Sequence, residues 1–156
     1  SSDLERLHKN DVRIRILGTR IGLPDDVLEI VEHVENVTRN NKSFGLNIAF
    51  NYGGRDEILR AVNKAALAGE DLTSLDEEGL GKYLDTVDLP EPELIIRTSG
   101  EQRMSNFLLW QSAYSELVFT DVLWPDFTKD DLLKAIRDYN ARDRRFGALN
   151  DDAEVA

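Results

Sequence analysis

The sequence predicts an α/β fold, with a mostly parallel β-sheet flanked by helices. Three short segments rich in branched apolar residues have the pattern of strands, at 11–18, 44–54 and 93–97. Amphipathic segments with apolar residues at helical spacing follow the first two of them. Alternation of strands and helices is typical of parallel β-α-β units. The chain has 156 residues, of which 41% are hydrophobic, and this suffices for one core and predicts a single domain.

The first half of the chain contains two predicted strands separated by a long helix. The helix at 23–40 begins at Pro24 and carries two aspartates in its first turn, both favourable at a helix start. The second strand is closed by the pair Gly53-Gly54, and the helix after it ends near Gly69. The predicted elements are a short helix at 1–10, a strand at 11–18, a helix at 23–40, a strand at 44–54 and a helix at 55–70.

The second half is predicted to hold two further strands and three helices. Three hydroxyl residues are predicted to cap its helices at their N-termini, namely Ser74, Ser105 and Thr128. The predicted elements are a short helix at 74–84, a strand at 93–97, a helix at 105–117, a short strand at 117–124 and a helix at 128–146. The small, acidic tail at 148–156 is predicted to be disordered.

Composition excludes several classes of function. Acidic residues outnumber basic ones by 30 to 19, which gives a net charge of −11 and disfavours a nucleic-acid partner. Cysteine is absent, so disulfides, thiolate metal sites and cysteine nucleophiles are excluded. The apolar runs are too short to cross a bilayer. These features predict a cytoplasmic domain.

Glycine and arginine recur together where the predicted strands end. Ligands of open parallel sheets bind beyond the carboxyl ends of the strands, and arginine favours bidentate contact with phosphate oxygens. If the strands are parallel neighbours, the three loops share one edge and predict an anion site. The loops combine Gly18 with Arg20, Gly53-Gly54 with Arg55, and Arg97 with Gly100 and Arg103.

Each of these loops also has a structural interpretation. The glycine pair alone is typical of a tight turn, and Arg20 and Arg55 alone are typical of solvated or acid-paired arginines. Arg97 differs because it continues a strand of buried type, so its charge needs a partner. Glu101 is one candidate, which would make a purely structural ion pair. A phosphate group is the favoured candidate.

Glu116 is a second candidate site residue. On a helix that begins at Ser105, it shares a face with Leu109 and Ala113, and a carboxylate in that position requires a metal or an arginine. If the helix instead ends near Ser115, Glu116 is simply exposed. The two histidines are expected at the surface. Four aromatic residues are expected in the core, namely Phe107, Trp110, Tyr114 and Trp124.

Two segments are similar to a known family. "LNIAFNYGGRDEI" at 46–58 and "PELIIRTSGEQRMSNFLLWQSAYSELVFTDVLWPDF" at 92–127 closely resemble the cis-prenyltransferases, the undecaprenyl diphosphate synthase or Z-isoprenyl diphosphate synthase family. The resemblance extends from about Val12 to Gly147 and implies one domain of that fold over 1–147. It implies a Mg²⁺-dependent prenyltransferase that condenses isopentenyl diphosphate onto an allylic diphosphate, such as farnesyl diphosphate, with Z stereochemistry. The implied product is a polyprenyl diphosphate lipid carrier for cell-wall synthesis.

The resemblance also assigns roles to residues. Glu116 matches a Mg²⁺-associated acid of the family, and Arg145 and Gly147 match an Arg-x-Gly element that reaches the active site of the partner subunit in a homodimer. Transient membrane contact for product release is implied as well. The residues implied to hold the diphosphate of isopentenyl diphosphate are Arg97, Arg103, Met104 through its backbone, and Ser105.

One part of the family pattern is absent. The aspartate-containing segment that begins these enzymes, and binds both Mg²⁺ and the allylic diphosphate, does not occur in this sequence. We therefore expect a C-terminal portion whose N-terminal part is missing, without catalytic residues of its own and inactive in isolation. The alternatives are a non-catalytic structural subunit of a heteromeric cis-prenyltransferase and an unrelated α/β domain that binds a phosphometabolite.

Overall fold

A computed structural model describes residues 2–142. The chain divides into two compact units, Ser1–Leu89 and Pro90–Ala156. The predicted tail at 148–156 lies outside the described residues.

The first unit is built on a parallel β-α-β arrangement, as predicted. Strands β1 (Val12–Leu17) and β2 (Phe44–Ala49) pair in parallel, with Val12 opposite Phe44 and Leu17 opposite Ala49. Asp76, rather than the expected Ser74, caps α4, and its carboxylate accepts a hydrogen bond from the Gly79 N–H at 2.8 Å. The elements are α1 (Ser2–Lys9), β1 (Val12–Leu17), α2 (Asp25–Thr38), β2 (Phe44–Ala49), α3 (Gly54–Leu67) and α4 (Glu77–Gly81).

Helix α2 supplies hydrogen-bond acceptors to β1. The backbone N–H of Ile14 donates to Thr38 Oγ1 at 3.0 Å, and that of Ile16 donates to Glu35 Oε1 at 2.7 Å. The Thr38 hydroxyl in turn donates to the carbonyl of Val34 at 2.9 Å. Side chains of the helix thus satisfy backbone groups of β1 that another strand would otherwise pair with.

The ends of β1 and β2 are held close together at Gly18. This residue has a φ of +124°, and a Cβ atom there would lie 2.1 Å from the carbonyl oxygen of Phe50. The adjacent Thr19 forms two hydrogen bonds with Asn51. The side-chain amide of Asn51 donates to the Thr19 carbonyl at 2.9 Å, and the Thr19 N–H donates to the Asn51 carbonyl at 3.2 Å. The loops that follow the first two strands are therefore neighbours, as expected for parallel strands.

The second unit contains another parallel pair. In this pair, β3 (Leu94–Arg97) runs beside β4 (Glu116–Phe119), with Leu94 opposite Glu116 and Arg97 opposite Phe119. The predicted cap at Thr128 is confirmed, because its side chain and that of Asp131 form a reciprocal capping box. The elements are β3 (Leu94–Arg97), β4 (Glu116–Phe119), a 3-10 turn (Trp124–Asp126) and α5 (Lys129–Asn140).

The predicted helix at 105–117 is wrong. Residues 105–114 form consecutive turns and bends, and Glu116 begins a strand. Ser105, Asn106 and Leu108 have positive φ values of 48°, 64° and 45°, and left-handed residues cannot propagate a right-handed helix. Ser105 is therefore not a helix cap, and the helical face proposed for Glu116 does not exist.

Three aromatic residues expected in the core are exposed instead. Trp124 is 73% exposed, Tyr114 is 72% exposed, and Phe107 is partly exposed. Trp124 stacks on Phe127 with ring centroids 5.9 Å apart. Within residues 2–142, none of the helices combines the length and apolar character needed to cross a membrane.

Candidate functional site

The loop after β3 is fixed by backbone hydrogen bonds to the segment after β4. The N–H of Ser99 donates to Val122 O and that of Gly100 donates to Thr120 O, both at 2.9 Å. Ser99 and Gly100 adopt consecutive left-handed conformations, with φ values of 67° and 68°. This geometry turns the chain sharply after Arg97 and sets the direction in which residues 101–104 leave the sheet.

Arg97, Arg103 and Met104 line one cavity of about 190 Å³ in the second unit. The structure therefore brings together three of the residues that the sequence assigned to diphosphate binding. The remaining walls are apolar and come from β3, β4 and the turn region, with contributions from Ile95, Ile96, Phe107, Leu117 and Phe119. The cavity combines a short hydrocarbon surface with two guanidinium groups.

Arg97 supplies a cation that the described part of the chain does not neutralise. Its side chain is partly buried, and its Nε atom is buried without a hydrogen-bond partner among residues 2–142. None of the ion pairs found in these residues involves Arg97. Because a desolvated cation is costly without a counter-charge, this position favours an anionic ligand.

Glu101 pairs with Arg103 and not with Arg97. Its carboxylate lies 2.5 Å from Arg103 Nη2, and the Arg103 side chain is 69% exposed. The alternative in which Glu101 neutralises Arg97 is therefore not observed. An anion entering the cavity would meet one unpaired guanidinium and one that already holds a carboxylate.

Ser105 is placed differently from the arginines. It is exposed, has a φ of 48°, and is not among the residues that line the cavity. The backbone carbonyl of Met104 accepts a hydrogen bond from the Phe107 N–H at 3.0 Å, which closes the turn around Ser105. Arg145 and Gly147 lie outside the described residues.

Glu116 lies at the opposite end of the β3–β4 ladder from Arg97. It faces Leu94 in the register, three residue steps and thus roughly 10 Å along the strand from the level of Arg97. Its carboxylate accepts a hydrogen bond from Arg142 Nη1 at 2.6 Å. Of the two partners considered for this carboxylate, the structure provides an arginine.

The described residues do not form a metal site around the cavity. Residues 2–142 contain no group of three or more His, Cys, Asp or Glu side chains arranged to hold a metal ion. Glu116 is a single carboxylate, it is bonded to Arg142, and it does not line the cavity. Of its two carboxylate oxygens, Oε2 is the one that Arg142 engages.

Comparison with known proteins identifies the family. The sequence model of the family described as "Putative undecaprenyl diphosphate synthase" matches residues 1–147. The chain belongs to this family. The unrelated phosphometabolite-binding domain is thereby excluded, and the predicted fold class is confirmed.

Individual members of the family are similar along nearly the whole chain. The isoprenyl transferase of Thermotoga maritima is 54% identical over 150 residues, which cover 94% of this chain and 64% of the relative. The isoprenyl transferase of Caulobacter vibrioides is 50% identical over 160 residues, which cover 99% of this chain and 62% of the relative. The chain thus spans less than two thirds of the length of these relatives.

Solved structures of the family have the same fold. A "probable undecaprenyl diphosphate synthase" from Campylobacter jejuni superposes with a TM-score of 0.83 at 37% identity, over 94% of this chain and 68% of that one. Lavandulyl diphosphate synthase from Lavandula x intermedia, in complex with dimethylallyl diphosphate, superposes with a TM-score of 0.87 at 34% identity, over 94% of this chain and 66% of that one.

An ionic network in the first unit of this family member was not predicted. Both carboxylate oxygens of Asp85 accept hydrogen bonds from Arg60, at 2.8 and 2.6 Å, and Oδ2 also accepts from the Gly18 N–H at 3.0 Å. Burial raises the pKa of Asp85, but the hydrogen bond and charge of Arg60, together with Lys64 and Gly18, outweigh it, so the pKa lies below its usual range. The hydrogen bond to Asp85 also raises the pKa of Arg60.

A buried glutamate is hydrogen-bonded to this network. Glu57 is only 1% exposed, and its Oε1 accepts a hydrogen bond from the Asp85 N–H at 2.9 Å. Its Oε2 accepts from the hydroxyl of Tyr52 at 2.5 Å. The network links α3 to residue 85 and, through Gly18, to the end of β1. Because Asp85 and Arg60 are 25 residues apart, no local sequence pattern signals their pairing.

Proposed function

We propose that the protein containing this chain is a Z-specific isoprenyl diphosphate synthase. It condenses isopentenyl diphosphate with an allylic diphosphate such as farnesyl diphosphate and releases inorganic diphosphate. The observation that carries this proposal is the cavity shared by Arg97 and Arg103, whose other lining residues are apolar. Such a cavity is complementary to a small molecule with a diphosphate and a short hydrocarbon tail.

Size and charge both favour isopentenyl diphosphate as the occupant. The volume of about 190 Å³ is below the roughly 300–1,000 Å³ of pockets for drug-sized ligands. Arg97 offers the unpaired guanidinium, and Arg103 joins it once a diphosphate replaces Glu101. The complex of the similar lavandulyl diphosphate synthase with dimethylallyl diphosphate supports a five-carbon prenyl diphosphate as ligand.

The role of this cavity in the reaction is positioning. The allylic C–O bond breaks with its electron pair leaving on diphosphate, the alkene of isopentenyl diphosphate bonds to the allylic carbon, and loss of a proton forms the new double bond. A fixed diphosphate orients the alkene toward that carbon, and such preorientation removes much of the entropic barrier. Arg97 and Arg103 bind and orient, and neither provides the leaving-group activation.

We retain Mg²⁺ as the proposed cofactor and Glu116 as one proposed ligand. When bound, Mg²⁺ would stabilise charge on the departing diphosphate. Proteins usually hold Mg²⁺ through one or two carboxylates and substrate phosphates, so a single carboxylate is compatible with this role. If Glu116 is a ligand, Glu116→Gln should weaken Mg²⁺ binding measured by calorimetry in the presence of diphosphate. Equal Mg²⁺ affinity in both proteins would exclude it.

Several further features belong to the same proposal. The product would be a polyprenyl diphosphate carrier lipid for cell-wall synthesis, made by a cytoplasmic homodimer with transient membrane contact for product release. Arg145 and Gly147 would reach the active site of the partner subunit, and Ser105 would bind the same diphosphate as Arg97. Family membership and the retained Arg97–Arg103 pair favour the catalytic type over a non-catalytic subunit.

The decisive experiment measures isopentenyl diphosphate binding by calorimetry. Arg97→Ala removes the unpaired guanidinium from the cavity, so the dissociation constant should rise about tenfold or more. Arg137→Ala removes an exposed arginine from α5 and is the matched control, with an expected dissociation constant close to that of the wild type. If Arg97→Ala and Arg137→Ala bind isopentenyl diphosphate equally well, the proposed site is wrong.

A further inference from the structure

A second cationic cleft lies in the first unit, at the end of β1. Its volume is about 450 Å³, and we call it the β1 cleft. The charged residues that line it are Arg15, Arg20, Glu35, Arg60, Lys64 and Asp85. Four cations and two carboxylates leave an excess of two positive charges, although the whole chain carries a net charge of −11. A local cation excess in a cleft attracts anions to that place, even on an acidic protein.

Two of the four cations have close carboxylate partners, and a third, Lys64, lies farther from one of the same carboxylates. Arg20 pairs with Glu35 at 3.1 Å, and Arg60 pairs with Asp85 at 2.6 Å. Arg60 also binds Asp56 at 2.7 Å, but Asp56 does not line the β1 cleft. Lys64 shares Asp85 with Arg60, and none of the ion pairs within residues 2–142 involves Arg15, so these two cations carry the excess charge.

Arg15 is held in place by carbonyl groups only. Its two Nη atoms donate to the backbone carbonyls of Val87 and Asp85, both at 3.1 Å. None of the ion pairs found within residues 2–142 involves Arg15, so its charge is oriented but not neutralised there. An oriented guanidinium loses less side-chain entropy when it binds an oxyanion.

Lys64 and Arg20 complete the arrangement. Lys64 Nζ lies 3.6 Å from Asp85 and 3.3 Å from the carbonyl of Tyr83, and its side chain is about half exposed. Arg20 keeps one guanidinium nitrogen, Nη1, buried without a hydrogen-bond partner among residues 2–142. The β1 cleft therefore offers more donor capacity than its two carboxylates use.

The geometry points to a binding site in the β1 cleft for a dianion of the phosphate class. Four cationic side chains line the β1 cleft, and Arg15 and Lys64 carry the charge that the two carboxylates leave over. The ligand is a phosphate or diphosphate group, either free or as the headgroup of a lipid. This site does not depend on the proposed function, because its residues belong to the first unit and those of the Arg97 cavity to the second.

The test is a titration of the 156-residue chain with inorganic phosphate, carried out in an Arg97→Ala background. This background removes the other arginine-based site from the measurement. Amide NMR shifts identify the site, and saturable changes are expected at Gly18 and Thr19. Lys64→Gln should weaken phosphate binding about tenfold, and Arg15→Gln should do the same. Arg13→Gln changes an exposed arginine on the same strand and should leave binding unchanged.

Two outcomes would overturn the inference. One is the absence of saturable shifts at Gly18 and Thr19 at millimolar phosphate. The other is equal phosphate binding by Lys64→Gln and Arg13→Gln. This comparison remains valid even if Arg15→Gln fails to fold, because the Lys64 side chain is half exposed and its replacement should not disturb folding. Sedimentation with vesicles then separates the sources. If the wild type prefers phosphatidic acid to phosphatidylcholine and Lys64→Gln loses this preference, the ligand is a lipid headgroup. If Lys64→Gln weakens the binding of inorganic phosphate but the wild type shows no such lipid preference, the ligand is a free anion.

Discussion

Asp85 is a residue of the first unit on which several polar contacts converge. Arg60, Lys64 and the backbone N–H of Gly18 all approach its carboxylate, and its side chain is only 10% exposed. Asp56 binds the same arginine from a position that is 54% exposed. The two carboxylates therefore allow a matched comparison, because both bind Arg60 and they differ in burial.

Replacing Asp85 should cost far more stability than replacing Asp56. Asp85→Asn removes the negative charge that faces Arg60 and leaves one acceptor oxygen for three hydrogen bonds, those from Arg60 and the Gly18 N–H. The free energy of unfolding should therefore fall by about 2 kcal/mol. Asp56→Asn breaks an exposed helical pair and should cost below about 0.5 kcal/mol. Urea denaturation at neutral pH measures both values. Equal losses for the two variants would contradict a central role of Asp85.

The same comparison has a definite pH dependence. The pKa of Asp85 is below its usual value in the folded state, so the stabilisation is complete above the unfolded pKa of about 3.9 and is lost as the pH falls through the folded pKa. Wild type should therefore lose stability below about pH 4 more steeply than Asp85→Asn, and the difference between them should shrink with acidification. A constant difference from pH 7 to pH 3 would exclude this linkage.

At the scale of elements, α5 has a start that the sequence predicted and the structure confirms. The Thr128 hydroxyl donates to the Asp131 carboxylate at 2.6 Å, and the Thr128 N–H donates to the same oxygen at 2.8 Å. Thr128→Ala removes the side-chain half of this capping box and should lower the free energy of unfolding by about 1 kcal/mol. Lys129→Ala, a change at the next residue, is the control and should stay within about 0.5 kcal/mol. Thermal denaturation followed by circular dichroism checks both.

Elements with strong local signals were predictable, and the turn region after Arg103 was not. The helices at Asp25–Thr38 and Gly54–Leu67 combine apolar periodicity with glycine, proline or acidic residues at their ends. The segment 105–114 has similar apolar content, but three of its residues adopt left-handed conformations that its composition does not predict. Just before this segment, Ser99 and Gly100 are bonded to residues 120–122, and contacts between residues so far apart along the chain cannot be read from a local pattern.

The candidate site was predictable to the same extent. An arginine that ends a buried strand needs an anionic partner wherever the chain goes next, so Arg97 could be identified from sequence alone. The position of Glu116 depended on a helix that does not form, and its separation from Arg97 follows from the strand register. The Asp85 network could not be found because it joins residues that are distant along the chain.

At the scale of the whole molecule, the described sheets are small and strand β2 carries exposed apolar side chains. Each consists of two parallel strands, and on β2 the side chains of Phe44 and Ile48 are 63% and 43% exposed. Parallel sheets are normally covered on both faces, and two-stranded sheets are rarely stable alone. The chain covers only 62% and 64% of the length of two relatives that it resembles along nearly all of its own length.

We therefore expect the 156-residue chain alone to bind isopentenyl diphosphate without transferring prenyl groups. Residues 2–142 position one diphosphate through Arg97 and Arg103, yet they contain no cluster of metal ligands to activate an allylic leaving group. The assay follows radiolabelled isopentenyl diphosphate into extractable lipid with farnesyl diphosphate and Mg²⁺ present. Retained binding by calorimetry shows that the chain is folded, and the absence of labelled lipid is then the expected result. Labelled lipid that is lost in Arg97→Ala would show instead that these residues suffice for catalysis.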